Sequence, residues 1–240
     1  MYNLNLRLRK NFIDGNLIKN PNLNSDFIFF PMSLDMERST LIDAPFYTNQ
    51  IEVIRSIAKS IPIEQKLFVK EHPSQFLRGW RKTSDYKEIK NIPNVELIHP
   101  TFSQNLLFKH CNLVITIGGT AGFEAALNNK PSIIFNDLRY SILPSVYRLK
   151  SIEELPLIIK KWLTVKVDRN DVSKYVNLLN SVTFDFNWLE FQQFFQNEFN
   201  NNDTARDVII SESNMLNFLT KHKDILESLA NEHLKKIKQT

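Results

Sequence analysis

Two short polar segments hold the residue types best suited to chemistry. The first, Gly118–Glu124, lies between an apolar run and an alanine-rich run. Glycines at such a turn let backbone N–H groups approach an anion without obstruction by Cβ atoms, and the helix that follows directs its positive end at the same place. Glu124 stands about one helical turn in, where its carboxylate can accept hydrogen bonds from sugar hydroxyls. The segment therefore indicates a nucleotide-sugar site.

The second segment is Lys70-Glu71-His72-Pro73, which directly follows the apolar run that begins at Lys66. Lys70 and His72 can neutralise a phosphate, and Pro73 restricts the turn after the strand. In doubly wound sheets, ligands bind outside the carboxyl ends of the strands, where the strand order reverses. If the strands that precede the two segments are neighbours, both segments lie on one rim, with Glu124 placed to hold ribose hydroxyls.

Structural explanations remain open for each segment. A glycine-rich turn can be only a tight connection, and this one has neither the G-x-G-x-x-G spacing nor the G-K-[ST] ending of known phosphate loops. His72 can be an ordinary surface histidine. Lys70 and Glu71 can form an exposed ion pair of little energetic consequence. The coincidence of both segments at strand ends is what favours a binding site.

The elements that would position these segments alternate between strands and helices. This alternation predicts an α/β fold, with a Rossmann-like parallel sheet covered by helices on both faces over residues 26–163. Residues 1–25 are rich in Asn and predict an extended lead-in or linker, and residues 164–240 predict a mostly helical C-terminal extension. The predicted strands are Phe27–Pro31, Lys66–Lys70, Val95–Ile98, Leu113–Thr116 and Ser132–Phe135. The predicted helices are Tyr47–Ser60, Ser84–Lys90, Gln104–His110 with Ser103 as N-cap, a helix ending near Asn128, and Ser151–Leu163 with a Ser151/Glu154 capping box.

Composition narrows the class of protein. With 42% hydrophobic and 23% charged residues and a net charge of +4, the chain is typical of a soluble globular protein and not of a nucleic-acid-binding one. The single Cys111 fits a reducing compartment, and no apolar run approaches the roughly 20 residues that cross a bilayer. The histidines have no metal-ligand spacing. We expect a cytoplasmic protein, at most peripheral at the inner face of the membrane, with no bound metal.

Several ordered motifs across residues 26–163 resemble the capsule polysaccharide biosynthesis proteins, a family of surface-carbohydrate glycosyltransferases that includes the Kdo transferases. The resemblance rests on their order and spacing. The motifs are Phe30-Pro31, Glu37-Arg38-Ser39-Thr40, Tyr47 with Gln50, Val69–Pro73, Arg81 with Tyr86, Pro93-Asn94-Val95, Thr116 with Gly119–Ala125, Lys130-Pro131 and Tyr140.

The resemblance implies a GT-B architecture, in which two Rossmann-like domains face each other across a cleft, and the segment resembles the C-terminal, donor-binding half. It implies that Lys70, His72 and the Gly119–Gly122 loop contact the phosphate and that Glu124 contacts the ribose. It also implies that Arg81 and Tyr86 line the same site. It implies no bound metal, because the helix dipole and basic side chains stabilise the leaving phosphate, and no cofactor, because the nucleotide sugar is a substrate. The candidate donor-binding residues are Lys70, His72, Pro73, Arg81, Gly118, Gly119, Thr120, Ala121, Gly122 and Glu124, and a candidate substrate loop holds Glu37, Ser39 and Thr40.

The sequence departs from the family pattern in two respects. Ser33 and Met36 stand where His and Pro are usual. Only about 25 residues precede the first predicted strand, which is far short of a second Rossmann-like domain. The usual catalytic base would belong to that other half, so the catalytic residues are unknown.

The leading hypothesis is therefore the donor-binding portion of a surface-polysaccharide glycosyltransferase, with Kdo as one candidate sugar. Its expected partners are a nucleotide-sugar donor, a polysaccharide or glycolipid acceptor and a separate N-terminal GT-B domain protein, but no nucleic acid. Two alternatives remain. The chain could resemble a UDP-GlcNAc 2-epimerase, or it could be a non-catalytic interaction module or remnant with a vestigial nucleotide site.

Overall fold

The structure, a computed structural model, describes residues 2–35, 38–199 and 209–238. Its centre is a six-stranded, entirely parallel sheet with the strand order β3-β2-β1-β4-β5-β6. This is the order of a Rossmann-type doubly wound fold, and it reverses between β1 and β4. The strands are β1 (Phe27–Pro31), β2 (Lys66–Lys70), β3 (Val95–Ile98), β4 (Leu113–Thr116), β5 (Ser132–Ile134) and β6 (Val146–Arg148).

Helices follow the strands, as the alternating pattern predicts. The described helices are α1 (Tyr2–Asn16), α2 (Arg38–Leu41), α3 (Gln50–Ser60), α4 (Thr83–Lys90), α5 (Gln104–His110), α6 (Ala121–Leu127), α7 (Leu155–Trp162), α8 (Arg169–Val182), α9 (Trp188–Phe199), α10 (Glu212–Lys221) and α11 (Lys223–Ile237). Short 3-10 segments lie at Pro45–Tyr47, Pro73–Arg78, Arg139–Ile142 and Ile152–Glu154. The predicted α/β class and parallel sheet are confirmed.

Both faces of the sheet are buried, which explains why its strands are apolar without alternation. All five residues of β1 are buried. Ile28 and Phe30 belong to one core cluster, whereas Phe27 and Phe29 belong to a second cluster on the opposite face. The central strands are therefore fixed from both sides, and their carboxyl ends form a stable rim.

Side-chain caps set several helix boundaries. Ser103 accepts a hydrogen bond from the Leu106 N–H at 3.4 Å, which confirms the predicted N-cap of α5. Asn49 caps α3 in the same way, so that helix begins at Gln50 rather than at the predicted Tyr47. Before α7, Glu154 accepts the Ser151 N–H at 3.3 Å, as a capping box requires, but the first turn is 3-10. Strand β6 was not predicted.

The prediction of an extended lead-in is wrong for Tyr2–Asn16, which forms α1. Ile13 and Leu17 are buried in the same core cluster as the sheet residues. Ile18 then pairs with Ile98 beside β3. This burial anchors the segment to the Rossmann-like domain, although most of its exposed residues are polar.

The chain divides into two compact units, Met1–Tyr175 and Val176–Thr240. The sheet lies wholly in the first unit, and the division falls within α8. The described part of the second unit is mostly helical, as predicted, and Phe218 packs there against the rings of Phe195 and Phe199, with centroids 5.7 and 5.1 Å away. Within the described residues, no helix is both long and apolar enough to cross a membrane.

Candidate functional site

A cavity of about 430 Å³ lies at the carboxyl ends of β1, β2 and β4, where the strand order reverses. The Met32 N–H donates to the Lys70 carbonyl at 2.9 Å and joins the first two strand ends. Both polar segments contribute to its wall, so the expectation that they share one rim is met. The lining residues are Pro31, Met32, Ser33, Lys70, Glu71, His72, Pro73, Gln104, Thr116, Gly118, Gly119, Thr120, Ala121 and Glu124.

Lys70 is the last residue of β2, and only 3% of its surface is exposed. Burial lowers the pKa of its ammonium group, against the opposing effect of the Glu71 carboxylate, which raises it. No hydrogen bond or ion pair of Nζ is present among the residues that the structure describes. The ammonium group is thus largely withdrawn from water but faces the cavity, and an anion bound there would favour its charged form.

His72 is oriented by the turn that follows it. Its Nδ1 accepts the Ser74 N–H at 3.1 Å and thereby caps the 3-10 segment that opens at Pro73. In neutral His72 the proton is therefore on Nε2, which makes that atom a hydrogen-bond donor. Sequence reasoning identified the residue, and the cap explains how its ring is held.

The glycine loop bends sharply after β4. Gly119 has a φ of +77°, a conformation that favours glycine. Two hydroxyl groups brace the loop: Thr116 Oγ1 donates to the Gly118 carbonyl at 2.9 Å, and Tyr140 Oη donates to the Gly119 carbonyl at 2.8 Å. The Thr116–Ala121 backbone is thus positioned from within the fold before any ligand binds.

Gly122 has a different role from the one predicted. It does not line the cavity. A Cβ atom there would lie 2.8 Å from the Tyr140 ring and 3.0 Å from Ile134 Cγ2. The glycine is required because α6 packs closely against Tyr140, which in turn braces Gly119.

Glu124 lies in the first turn of α6 and lines the cavity. Its Oε1 accepts a hydrogen bond from Thr120 Oγ1 at 2.6 Å. Its Oε2 has no hydrogen-bond partner within the described part of the chain. The carboxylate is therefore oriented by one oxygen and able to accept ligand hydroxyls with the other.

Arg81 and Tyr86 lie behind the cavity wall instead of lining it. Its Nε donates to Glu71 Oε2 at 2.7 Å, and its Nη2 donates to the Ser33 carbonyl at 2.8 Å. Tyr86 Oη adds a 2.9 Å hydrogen bond to the same Glu71 oxygen. Burial acts to lower the pKa of Arg81, but the carboxylates of Glu71 and Asp35 outweigh it and raise that pKa. Burial also raises the pKa of Tyr86, and Glu71 acts in the same direction. The structure thus makes Arg81 a support for the loops after β1 and β2.

The loop after β1 is held by amide side chains that sequence reasoning did not assign. Gln50 accepts the Ser33 N–H at 2.8 Å and donates to the Ser33 carbonyl at 2.9 Å. Gln75 accepts the Asp35 N–H at 3.1 Å. These bonds hold the loop, and those of Gln50 fix Ser33, one of the two residues that depart from the family pattern, at the cavity wall.

The candidate substrate loop is described only in part. Glu37 lies outside the described residues, and nothing is described of the Ser39 side chain. Thr40 is buried, and it lines a second cavity rather than the first. Gln104, at the start of α5, lines the first cavity and had no motif to reveal it.

The first cavity can bind an anion and a hydroxyl-bearing group side by side. Lys70, His72 and the glycine loop offer cationic and N–H donors, while Glu124 offers an acceptor. Within the described residues, no group of three His, Cys, Asp or Glu side chains is arranged to hold a metal ion. The expectation that no metal takes part in the chemistry remains a prediction.

Residues 10–143, more than half of the chain, match the family model of the capsule polysaccharide biosynthesis protein. The chain belongs to this family. The matched segment begins at residue 10, on the N-terminal side of the region 26–163 in which the motifs were recognised. This is consistent with the packing of α1 on the sheet. A comparison with curated proteins gives no match.

Solved structures with similar folds are distant. The UDP-GlcNAc 2-epimerase of Methanocaldococcus jannaschii, in complex with UDP-GlcNAc and UDP, is 14% identical with a TM-score of 0.42, covering 75% of this chain and 52% of that one. The β-Kdo 2,7-transferase of Thermosulfurimonas dismutans KpsC is 15% identical with a TM-score of 0.46, covering 72% and 53%. The KpsC β-Kdo 2,4-transferase is 13% identical with a TM-score of 0.44, covering 63% and 50%. The chain spans about half the length of each.

Proposed function

We propose that the chain is the donor-binding portion of a glycosyltransferase of surface or capsular polysaccharide biosynthesis, which binds a nucleotide sugar in the 430 Å³ cavity. Family membership supports the biosynthetic role. The geometry supports the ligand, because the cavity has the volume of an ordinary small-molecule site, roughly 300–1,000 Å³, and lies where doubly wound folds bind nucleotides.

Lys70 is the observation that carries the proposal. A lysine that is almost fully buried normally has a carboxylate partner, yet Glu71, the carboxylate that acts on its pKa, is engaged by Arg81 and Tyr86. The ammonium group instead lines a cavity together with His72 and the glycine loop. A phosphate of the donor would supply the missing negative charge. During transfer, the same groups would stabilise the charge that develops on the departing phosphate.

Glu124 would hold the ribose of the donor. Its Oε1 is fixed by Thr120, so Oε2 can accept a sugar hydroxyl without first losing a protein hydrogen bond. His72 would donate Nε2–H to the phosphate while its Nδ1 stays on Ser74. The donor sugar itself, Kdo or another, is not specified by these contacts.

Calorimetric titration with CMP, UDP and their sugar conjugates tests the proposal. We expect one nucleotide family to bind, and its affinity to fall about 10-fold or more in Glu124→Ala and in His72→Ala, since each removes a hydrogen bond to a charged group, worth about 1.5–3 kcal/mol. His110→Ala, which removes an exposed histidine at the end of α5, is the matched control. Absence of binding, or binding that neither variant weakens, would reject the proposal.

The remaining parts of the proposal concern partners. The acceptor would be a polysaccharide or glycolipid, and the catalytic base would come from a second GT-B-type domain. The protein would work in the cytoplasm, at most peripherally at the membrane. Incubation with UDP-GlcNAc distinguishes the epimerase alternative, because epimerisation yields a new sugar nucleotide without an acceptor.

A further inference from the structure

A second cavity, of about 440 Å³, adjoins the first. Glu71 lines the first cavity and its ion-pair partner Arg81 lines the second, so this buried pair spans the wall between them. The second cavity is built by the loops after β1 and β2 together with α1, which contributes Arg9. Nothing in the proposed donor site uses it.

The second cavity has an excess of positive charge. Arg9, Arg78 and Lys82 line it, and no ion pair of these three is present within residues 2–35, 38–199 and 209–238. Arg9 is held by neutral acceptors, because its Nη1 donates to the carbonyls of Gly79 and Trp80 at 3.0 and 2.8 Å. The acidic side chains on the wall offset this charge only in part, since Asp35 is paired with Arg81 and Asp85 supplies one further negative charge against the three cations.

Trp80 lines the same cavity and has an unusual backbone conformation. Its φ is +56°, directly after Gly79 at +87°. A bulky residue in the left-handed region costs on the order of 1–2 kcal/mol and persists only where the surroundings hold it. Here the Trp80 N–H donates to the Gln75 carbonyl at 3.1 Å, and Arg9 holds both carbonyls of the turn. Trp80 and the three cationic residues therefore line the same cavity.

We infer that the second cavity binds a saccharide that carries a carboxylate or phosphate, in the role of the acceptor. Arginine and lysine recognise such anions, and the flat apolar face of an indole suits the C–H face of a pyranose ring. The Glu71–Arg81 pair separates the two cavities, so this saccharide would have to extend past that wall to reach the donor. The acceptor role rests on the proposed function, whereas the binding of an anionic saccharide does not.

The test is titration of the full chain with two oligosaccharides of equal length, a hyaluronan tetrasaccharide, which carries carboxylates, and neutral chitotetraose. We expect the acidic one to bind at least about 10-fold more tightly and to lose that advantage in Arg78→Ala/Lys82→Ala. The control Lys59→Ala/Lys109→Ala removes the same charge from exposed positions on α3 and α5 and is expected to keep it.

Tryptophan fluorescence provides a second measurement. We expect the acidic tetrasaccharide to change the emission of the wild type but not of Trp80→Phe, although Trp162 and Trp188 remain. Equal binding of both oligosaccharides, no binding, or an unchanged preference in Arg78→Ala/Lys82→Ala would overturn the inference. Nucleotide titration of the same preparation separates the two claims. If the protein binds the nucleotide but does not prefer the acidic oligosaccharide, only this inference is rejected. If it prefers the acidic oligosaccharide but binds no nucleotide, only the donor site and the acceptor role are rejected.

Discussion

Substitution of Arg81 by Met is expected to destabilise the fold sharply. The side chain of Arg81 is 8% exposed and that of Glu71 is fully buried, so removal of the guanidinium leaves a buried carboxylate without its cation. Such a loss costs about 3–5 kcal/mol. Glu71 keeps hydrogen bonds from Tyr86 Oη and the His72 N–H, which places the cost near the lower limit. At roughly 2–4 °C per kcal/mol, a loss of about 3 kcal/mol lowers Tm by about 6–12 °C.

Urea denaturation followed by circular dichroism measures this loss, and a second substitution tests its cause. Arg81→Met/Glu71→Gln keeps an acceptor for Tyr86 but removes the buried charge, so we expect it to recover most of the lost stability. Arg148→Met breaks an exposed ion pair with Asp137 and should cost no more than about 1 kcal/mol. A loss below about 1 kcal/mol for Arg81→Met, or a double variant less stable than the single one, would refute the reasoning.

Three further predictions follow from close packing and burial. Gly122→Ala should lower the free energy of unfolding in urea by about 1–3 kcal/mol, because the added Cβ would meet Tyr140. Gly15→Ala in α1, which has open space around it, should be neutral or stabilising by up to about 1 kcal/mol. Equal effects of the two substitutions would contradict the packing role of Gly122. Burial lowers the pKa of Lys70 below its ordinary value of about 10.4. Nucleotide affinity, measured by calorimetry, should therefore fall as pH rises through this lowered pKa, while the free energy of unfolding should rise with pH between the lowered and the ordinary pKa. Lys70→Met should show neither pH dependence, and the same pH profiles in this variant would exclude Lys70 as their source. Burial raises the pKa of Cys111 to about 12, so its thiol should react with Ellman's reagent only as the protein unfolds, and immediate reaction of the native protein would show that it is accessible.

Most of the sheet could be predicted because its strands are continuous apolar runs bounded by turn residues. β1 to β4 lie where the sequence predicts them. β6 could not be predicted, since Val146–Arg148 is short and only Val146 is buried. α1 was missed for a related reason: its polar residues outnumber those that reach the core, and Ile13 alone among the described side chains of the helix is fully buried.

The candidate site was predictable in its location but not in the role of each residue. Lys70, His72 and Glu124 line the cavity because each lies at the end of a strand or shortly after one, and these strands end at the same rim. Arg81 does not, because its guanidinium is engaged by Glu71, ten positions earlier in the sequence. Gly122 is glycine because of Tyr140. Contacts between distant positions decide such roles, and no local pattern reveals them.

The central claim is that the 430 Å³ cavity binds the phosphate of a nucleotide sugar through Lys70. The most direct test compares the nucleotide that binds best with its phosphate-free nucleoside, in the wild type, in Lys70→Met and in Lys66→Met, which removes an exposed lysine from the other end of β2. The account predicts that the nucleotide binds at least about 10-fold more tightly than the nucleoside in the wild type and in Lys66→Met, and that Lys70→Met abolishes this difference. An equal preference for the nucleotide in all three proteins would contradict it.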